Sequence, residues 1–539
     1  MTPDPAALAA LERATLRVTE TVPLPARFAL LLRPAHDPVA KREAVRAALA
    51  PLHADVRPLS PLEPNVLLAE LPGRVFGPDD ALTFQAAYAL CDELDLVAAE
   101  ADLPTNFFPE EAPDRAAKDP AREGLEGFPP GCWAPPDAQL QPRWALEKIN
   151  AEAAWAYSEA KGRPDRGAGI IIAQPDTGIT VHPELAGVNT FAARDVIDDN
   201  DNATDPLHDF GNPGHGTATA SVVVSPVAGV VTGSAPRASH MPIRAIQSVV
   251  RITQVTVAEA IEWAVEHGAH VITMSLGGIP SFALHRALRR AVAADVIVLA
   301  AAGNCVRTVV WPARYDDCIG VGGTNSRDEG WRGSCKGSSI DISAPAENVF
   351  RARVANDGRP VGQGQGTSFA VALTAGVGAL WLAHHGRANL IAAARKRGET
   401  LQEMFRRLAR ATARRPTGWD PFQMGAGIVD ARALLEADFD LGRAVESAPL
   451  PDDAPARAAI AVQSLVMEEA GPAPLEAPLD WNRYGTEVAH ALLRSKLNAV
   501  AAGGGLREER VSEPVSVSSS LAKALSGSPL QARLTGAQE

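Results

Sequence analysis

Apolar and polar positions divide this chain into stretches of two kinds. Within the first hundred residues the apolar runs are short and separated by turn residues. Arg27–Leu32 (RFALLL) is a compact apolar run and predicts a strand. Asp37 followed by Pro38 predicts the start of a helix over Pro38–Leu49, with a carboxylate cap and proline in the first turn. Ala54–Arg57 and Val66–Leu71 read as two further strands around a Pro-rich turn. Asp79 or Asp80 opens a second helix, Ala81–Leu94, with Leu82, Ala86, Ala89, Leu90 and Leu94 expected on its inner face. Leu96–Ala101 reads as a last short strand. The order β-α-β-β-α-β is that of a ferredoxin-like α+β unit, which by itself says nothing of function. After Pro104 the periodicity is lost. Glu110–Pro142, rich in Pro, Gly, Ala and charge, reads as a linker.

From there the pattern changes to alternating strand and helix. Ala168–Ala173 (AGIIIA) is a continuous apolar strand of the kind buried on both faces, and it runs into Gln174-Pro175-Asp176-Thr177-Gly178. Thr256–His267 is an amphipathic helix with Val257, Ala260, Ile261, Ala264 and Val265 inward and Gly268 as its stop. His270–Met274 is a strand ending at Ser275-Leu276-Gly277. A helix over Ser281–Ala294 leads to a strand, Val296–Ala301, and then to Asn304. Later, GQGTSFAVALTAG (Gly364–Gly376) is a glycine-rich turn that delivers Ser368 to a small-and-apolar run, Phe369–Ala383. That run is too short and too broken by glycine for a membrane span and predicts a buried core helix. Strand, helix and strand joined by short connections give a parallel α/β sheet. Ligands of such sheets bind at the carboxyl ends of the strands, where Asp176, Ser275 and Asn304 all fall.

Composition narrows the function classes. The 539 residues suggest about three or four domains. At 46% hydrophobic and 21% charged, this is an ordinary globular composition. A net charge of -13 argues against nucleic acid or an anionic membrane as partner. The five cysteines, Cys91, Cys132, Cys305, Cys318 and Cys335, form no CxxC pair, so neither a zinc site nor a redox motif is indicated. The N-terminus lacks the basic start and apolar core of a secretory signal, and the expectation is a cytoplasmic protein with free thiols.

The candidate chemistry is acyl transfer. A serine at a helix N-terminus lies beside unpaired N–H groups and a positive partial charge. To act as a nucleophile it needs a base, and the base needs an orienting carboxylate. GNPGHGTATASVVV sets His215 between glycines at the start of a small-residue helix. Asp176 offers a carboxylate at a strand end, and Asn304 a side-chain N–H donor for an oxyanion. Each alone is an ordinary turn or cap residue. The four in the order Asp, His, Asn, Ser, each in its matching flank, reverse that judgement.

The segments DTGI, GHGTATA, SAPRASHMPIRAI, VITMSLGG, AAGN, WPARYDDCIGVGG, DISAPAENVF and GTSFA resemble those of subtilisin-like serine peptidases (subtilases, peptidase S8) from about Trp144 to Ala437. WALEKINAEAAW (Trp144–Trp155) is similar to the family's mature N-terminal segment. The resemblance implies a subtilisin-like three-layer α/β fold around a central parallel sheet. It implies a serine endopeptidase acting through an acyl-enzyme, with Asp176, His215 and Ser368 as triad and Asn304 as oxyanion donor. Ser275-Leu276-Gly277 resembles the edge that pairs with an extended substrate. Val310, just before Trp311-Pro312, stands where many broad-specificity members have glycine. This implies a pocket preferring Ala, Val or Leu before the scissile bond, with Cys305 as a small apolar lining. Three positions depart from the family pattern: Ala372 replaces a proline, Leu373 a histidine, and Ala218 a second histidine. None is a triad or oxyanion position.

The implied organisation is a propeptide-like α+β domain (1–108), a linker (109–142), a catalytic domain (143–437) and a partly disordered C-terminal extension (438–539). The implied partners are a protein or peptide substrate and the chain's own N-terminal domain as intramolecular inhibitor, with no nucleic acid and no membrane. No cofactor is required. Subtilases often carry calcium, which stays an option, but the acidic loop Asp195–Asp209 has no EF-hand spacing and reads as solvated. In the extension, Thr486–Val500 predicts one amphipathic helix with Val488, Leu492, Leu493 and Leu497 clustered, and Gly503–Glu539 reads as disordered.

Overall fold

The computed structural model describes residues 5–19, 24–104, 132–207, 212–249, 252–354, 359–442, 454–472, 479–504 and 515–535. The N-terminal unit starts with helix α1 (Pro5–Ala14), which the apolar pattern did not predict. Strand β1 (Ala26–Leu31), helix α2 (Pro38–Ala48), strands β2 (Asp55–Ser60) and β3 (Glu63–Leu71), helix α3 (Asp80–Glu93) and strand β4 (Ala98–Ala101) follow. The four strands form an antiparallel sheet in the order β2-β3-β1-β4, the ferredoxin-like arrangement. Asp37 caps α2 by accepting from Ala40 N at 2.7 Å, and Asp79 caps α3 by accepting from Ala81 N at 3.0 Å. The predicted inner face of α3 needs one correction: Leu82 is 37% exposed, while Phe84, Ala87 and Tyr88 are buried. α3 is covered on two sides, so a single-stripe reading picks the wrong leucine.

The larger unit is a seven-stranded sheet whose neighbouring strands are all parallel. After helix α4 (Ala151–Ala160), its elements in chain order are β5 (Ile171–Asp176), β6 (Arg194–Asp195), α5 (His215–Val224), β7 (Ser239–Arg244), α6 (Gln254–Glu266), β8 (Val271–Met274), α7 (Phe282–Ala293), β9 (Ile297–Ala301), β10 (Ile319–Thr324), β11 (Ile342–Pro345) and α8 (Thr367–His385). The sheet order is β11-β10-β9-β8-β5-β7-β6. The chain leaves β5 toward β7 and β6 on one side and later returns to β8 on the other. That reversal opens a crevice beyond the carboxyl ends of β5 and β8. α5 and α8 pack on one face of the sheet, and α6 and α7 on the other, giving three layers. α8 is long and apolar enough to cross a membrane by composition, yet its apolar window is 100% buried between sheet and surrounding helices.

The C-terminal region departs most from expectation. It contains helices α9 (Ala454–Ala470), α10 (Trp481–Gly504), α11 (Ser519–Ala524) and α12 (Pro529–Thr535). Val488, Leu492 and Leu493 are buried as predicted, while the side chain of Leu497 lies outside the described residues. The disorder expected over Gly503–Glu539 is corrected for residues 515–535: Leu521, Leu525, Leu530 and Leu534 are buried in the same apolar cluster as α6 and α7. Leucines four apart place two anchors on one helical face, which offsets the Gly/Ser content around them. Of the expected linker, 110–131 lies outside the described residues. Its end is docked: Ala134 N donates to Gln365 Oε1 at 3.0 Å and Asp137 N to Gln363 Oε1 at 2.8 Å.

Candidate active site

Close backbone approach assembles the site. Asp176 ends β5 and His215 begins α5, and the two are brought together where the chain has no side chains. A Cβ on Gly216 would sit 2.0 Å from Gly178 O, and one on Gly178, at φ +99°, 2.6 Å from Ala203 O. Only glycine at both positions lets α5 rest on the turn after β5. His215 Nδ1 then lies 2.7 Å from Asp176 Oδ1, and Nε2 lies 3.2 Å from Ser368 Oγ. A carboxylate can only accept, so Nδ1 carries the proton and Nε2 is left as acceptor toward the hydroxyl. Asp176, His215 and Ser368 are all buried.

Asp176 is held from behind by groups that the motif reading did not single out. Thr177 N donates to Oδ1 at 2.7 Å, and Thr219 Oγ1 lies 3.2 Å from Oδ2. Gln174 Nε2 donates to Thr219 Oγ1 at 2.6 Å and to Gly216 O at 3.0 Å, and its Oε1 accepts from His240 Nε2 at 2.7 Å. Burial pushes the His240 pKa down to about 4, so that ring is neutral at physiological pH. The signal was a glutamine in an otherwise apolar strand. Such a side chain must find partners when buried.

Ser368 sits in the first turn of α8 after Gly366. Asn304 Oδ1 accepts from Thr367 N and from Thr367 Oγ1, both at 2.9 Å, which leaves its Nδ2 to face the serine. A Cβ built on Gly366 would lie 3.4 Å from Asn304 Nδ2 and 3.7 Å from both Ser368 N and Ser368 Oγ. Asn304 Nδ2, Ser368 N and Ser368 Oγ therefore all lie close to Gly366, where a side chain would crowd them. Ser275 Oγ donates to Ser368 O at 3.0 Å, tying β8 to the first turn of α8. Val310 is buried against two glycines. Its Cγ2 would lie 2.3 Å from a Cβ on Gly277 and 2.9 Å from one on Gly303. Leu276 is buried beside them.

Two neighbouring features complete the picture. Of the six aspartates in the loop Asp195–Asp209, Asp195 and Asp198 each accept from Arg244 Nη1 at 2.6 Å, and Arg194 pairs with Asp199 and Asp201. Asp205 accepts from Thr177 Oγ1 at 2.6 Å and from Gly214 N at 3.0 Å, pinning the loop to the approach to His215. Among the described residues no group of three or more His, Cys, Asp or Glu side chains is placed to hold a metal ion. Cys305 is buried next to Asn304, and burial pushes its thiol pKa upward.

Parallel sheet and crevice define a three-layer α/β protein with a buried Asp176–His215–Ser368 line at the crevice. The subtilase family model matches residues 167–427. Thermitase of Thermoactinomyces vulgaris is 32% identical over 259 residues, covering 47% of this chain and 87% of that protein. Subtilisin BL of Lederbergia lenta is 31% identical over 240 residues, 44% of this chain and 82% of that one. The prenylagaramide maturation protease PagA overlays at a TM-score of only 0.41 and 23% identity, across 52% of this chain and 97% of that one, too loosely to carry an argument. The chain belongs to the subtilase family and is a subtilisin-like serine endopeptidase, with protein or peptide substrates.

Proposed function

We propose that Ser368 is the nucleophile, His215 its general base, Asp176 the carboxylate that orients the imidazole, and Asn304 the side-chain donor to the oxyanion. The observation that carries this reading is the continuous line from Asp176 Oδ1 through His215 to Ser368 Oγ, at 2.7 and 3.2 Å. His215 Nε2 takes the hydroxyl proton as Oγ attacks the peptide carbonyl. Asp176 stabilises the imidazolium without itself being protonated. The developing oxyanion is assigned to Asn304 Nδ2 and Ser368 N as donors, both of which lie beside Gly366 next to the serine hydroxyl. His215 then protonates the leaving amine, and water attacks the acyl-enzyme by the same route in reverse. Gly277 and the Ser275-Leu276 segment before it are assigned to the substrate backbone, and Val310 to the wall of the pocket before the scissile bond. No step calls on a metal ion, and the acidic loop is read as closed by Arg194 and Arg244. Ser368→Ala is expected to abolish peptide hydrolysis and labelling by a fluorophosphonate probe while leaving circular dichroism unchanged. Activity above trace in that variant would remove the nucleophile assignment, and an unlabelled, inactive parent chain would favour a catalytically silent or tightly inhibited subtilase fold acting as a binding or regulatory module.

The N-terminal domain is read as a folding and inhibitory unit docked on the catalytic domain. Two carboxylates at the end of β4 support this. Glu100 accepts from Phe282 N at 2.9 Å, from Ala283 N at 3.2 Å and from Ser281 Oγ, at the start of α7. Asp102 Oδ1 accepts from Val255 N at 3.0 Å, at the start of α6. One strand end thus satisfies orphan donors of two catalytic-domain helices. Glu63 adds ion pairs to Arg286 and Arg290 of α7.

A further inference from the structure

We propose that the C-terminal helices α9–α12 are a strap that holds the N-terminal domain against the catalytic domain, keeping it a retained module. The strap is anchored on the catalytic side by α9. Glu468 accepts from Arg314 Nη2 at 2.7 Å and from Ser338 Oγ at 3.0 Å, and Val462, Leu465 and Val466 are buried in the cluster that includes α7. α10 packs on α9 and carries the chain across to the N-terminal domain.

There the contacts converge on α3. Glu487, only 2% exposed, accepts from Tyr88 Oη at 2.8 Å, from Ser518 Oγ at 2.9 Å and from Ser518 N. One carboxylate therefore joins α3, α10 and the start of α11. Arg483 makes a two-pronged pair with Asp92 at 2.7 and 2.8 Å, and its guanidinium lies 5.1 Å from the centroid of the Tyr88 ring. Tyr88 and Tyr484 meet edge-on at 5.1 Å. Arg494 reaches Asp80 at 3.1 Å, and Gln85 Oε1 accepts from Ser519 Oγ at 2.9 Å and Ser520 N at 3.0 Å. This second covered side explains why Phe84 and Tyr88 are buried on a helix whose Ala86 and Leu90 already face its own sheet.

The physical consequence is avidity. Without the strap, the N-terminal domain is held only by its own docking face, the apolar side of its sheet and the carboxylates Glu63, Glu100 and Asp102. With it, α3 and β4 are gripped from opposite sides. Release of the domain then requires the strap to open as well, and the two events are coupled through one chain. That docking also blocks hydrolysis rests on the reading given under the proposed function, and the two are separable by experiment.

The test uses the full chain. In a Ser368→Ala background, which removes self-digestion, amide hydrogen exchange is compared before and after two changes. Glu487→Ala leaves Tyr88 Oη and the Ser518 N–H without their acceptor, and exchange in α3 and β4 is expected to quicken at least tenfold, with α8 unchanged. Arg483→Asp, which turns the pair with the exposed Asp92 into a repulsion, is expected to quicken the same segments at least threefold. Asp92→Arg added to it restores the pair in reverse and should restore protection. Unchanged exchange of α3 and β4 in both single variants overturns the strap. In the Ser368 parent, faster exchange with a matching rise in peptide hydrolysis supports strap and inhibition together. Faster exchange with no rise leaves the strap standing and removes the inhibitory reading.

Discussion

On the proposed assignment, Val310 walls the pocket before the scissile bond at a position where many family members have glycine. Its γ-methyl stands between Gly277 and Gly303, close enough to both that neither would tolerate a Cβ without displacement. A pocket filled from that wall suits a small aliphatic group before the scissile bond and leaves little depth for a ring. It also offers no partner to a buried lysine or arginine, and an unpaired charge is costly. Cleavage profiling on a peptide library should therefore be dominated by Ala, Val or Leu at that position. Val310→Gly should raise kcat/KM for Phe at that position by about tenfold or more, the worth of a methylene or two in an apolar pocket. A parent profile led by Phe or by Lys/Arg would show that Val310 does not line the pocket. Asn304 allows a second test. Asn304→Leu keeps the volume but removes the Nδ2 donor, and turnover should fall about 10²–10³-fold with little change in KM, the magnitude that holds for subtilisin's own oxyanion asparagine. At this scale the sequence was highly legible. Asp176, His215, Asn304 and Ser368 each stand beside glycines at an element end, and the structure brings all four together. The bonds among Gln174, Thr219 and His240 were not legible, because Gln174 stands out in its strand but nothing in the local sequence names its partners.

At the scale of elements, the contact between β4 and the starts of α6 and α7 carries a pH dependence. Burial pushes the Glu100 carboxyl up to about 7, against the hydrogen bonds from Ser281, Phe282 and Ala283, which favour its ionised form. The docked state thus binds the proton more tightly than the undocked state, where a free carboxyl titrates near its ordinary value. Docking is strongest below about pH 4.5 and is lost progressively as pH rises toward 7, by on the order of 3 kcal/mol at most. Glu100→Gln keeps an acceptor for the helix N–H groups and cannot ionise. Exchange protection of β4 measured from pH 5 to 8, corrected for intrinsic rates, should fall in the parent and stay level in the variant. An equal pH slope in both would place the linkage elsewhere. Sequence reading missed this pair because carboxylates at a strand end look solvated until the helices they cap are known. The tail was missed for a related reason. Its leucine spacing was regular, but Ser and Gly between them lowered every local preference, and only packing against α6, α7 and α3 decides the matter.

Across the whole molecule, the apolar interior does not respect the boundaries that composition suggests. Ala29, Leu31, Leu59, Val66 and Leu68 of the N-terminal sheet belong to the same buried cluster as Ile261, Leu284 and Leu288 of the catalytic domain and Leu521 and Leu530 of the extension. Burying a large aliphatic side chain is worth about 1.5–3 kcal/mol, so the four large ones among the sheet residues outweigh any single cap or exposed ion pair at the same surface. Much of the catalytic domain's contact order is also long-range, since parallel strands must wait for their crossovers before they pair. A preformed antiparallel sheet that covers α6 and α7 and caps both helices offers those two elements a surface to fold against early. Deleting residues 1–104 should therefore slow refolding more than it speeds unfolding. After dilution from guanidinium, the yield of probe-labelled enzyme from the truncated chain is expected to be at least tenfold below that of the full chain at equal times, and the unfolding rates should differ far less. Equal refolding yields with and without residues 1–104 would mean that α6 and α7 find their places unaided, and the N-terminal domain would then have to be explained by what it does after folding.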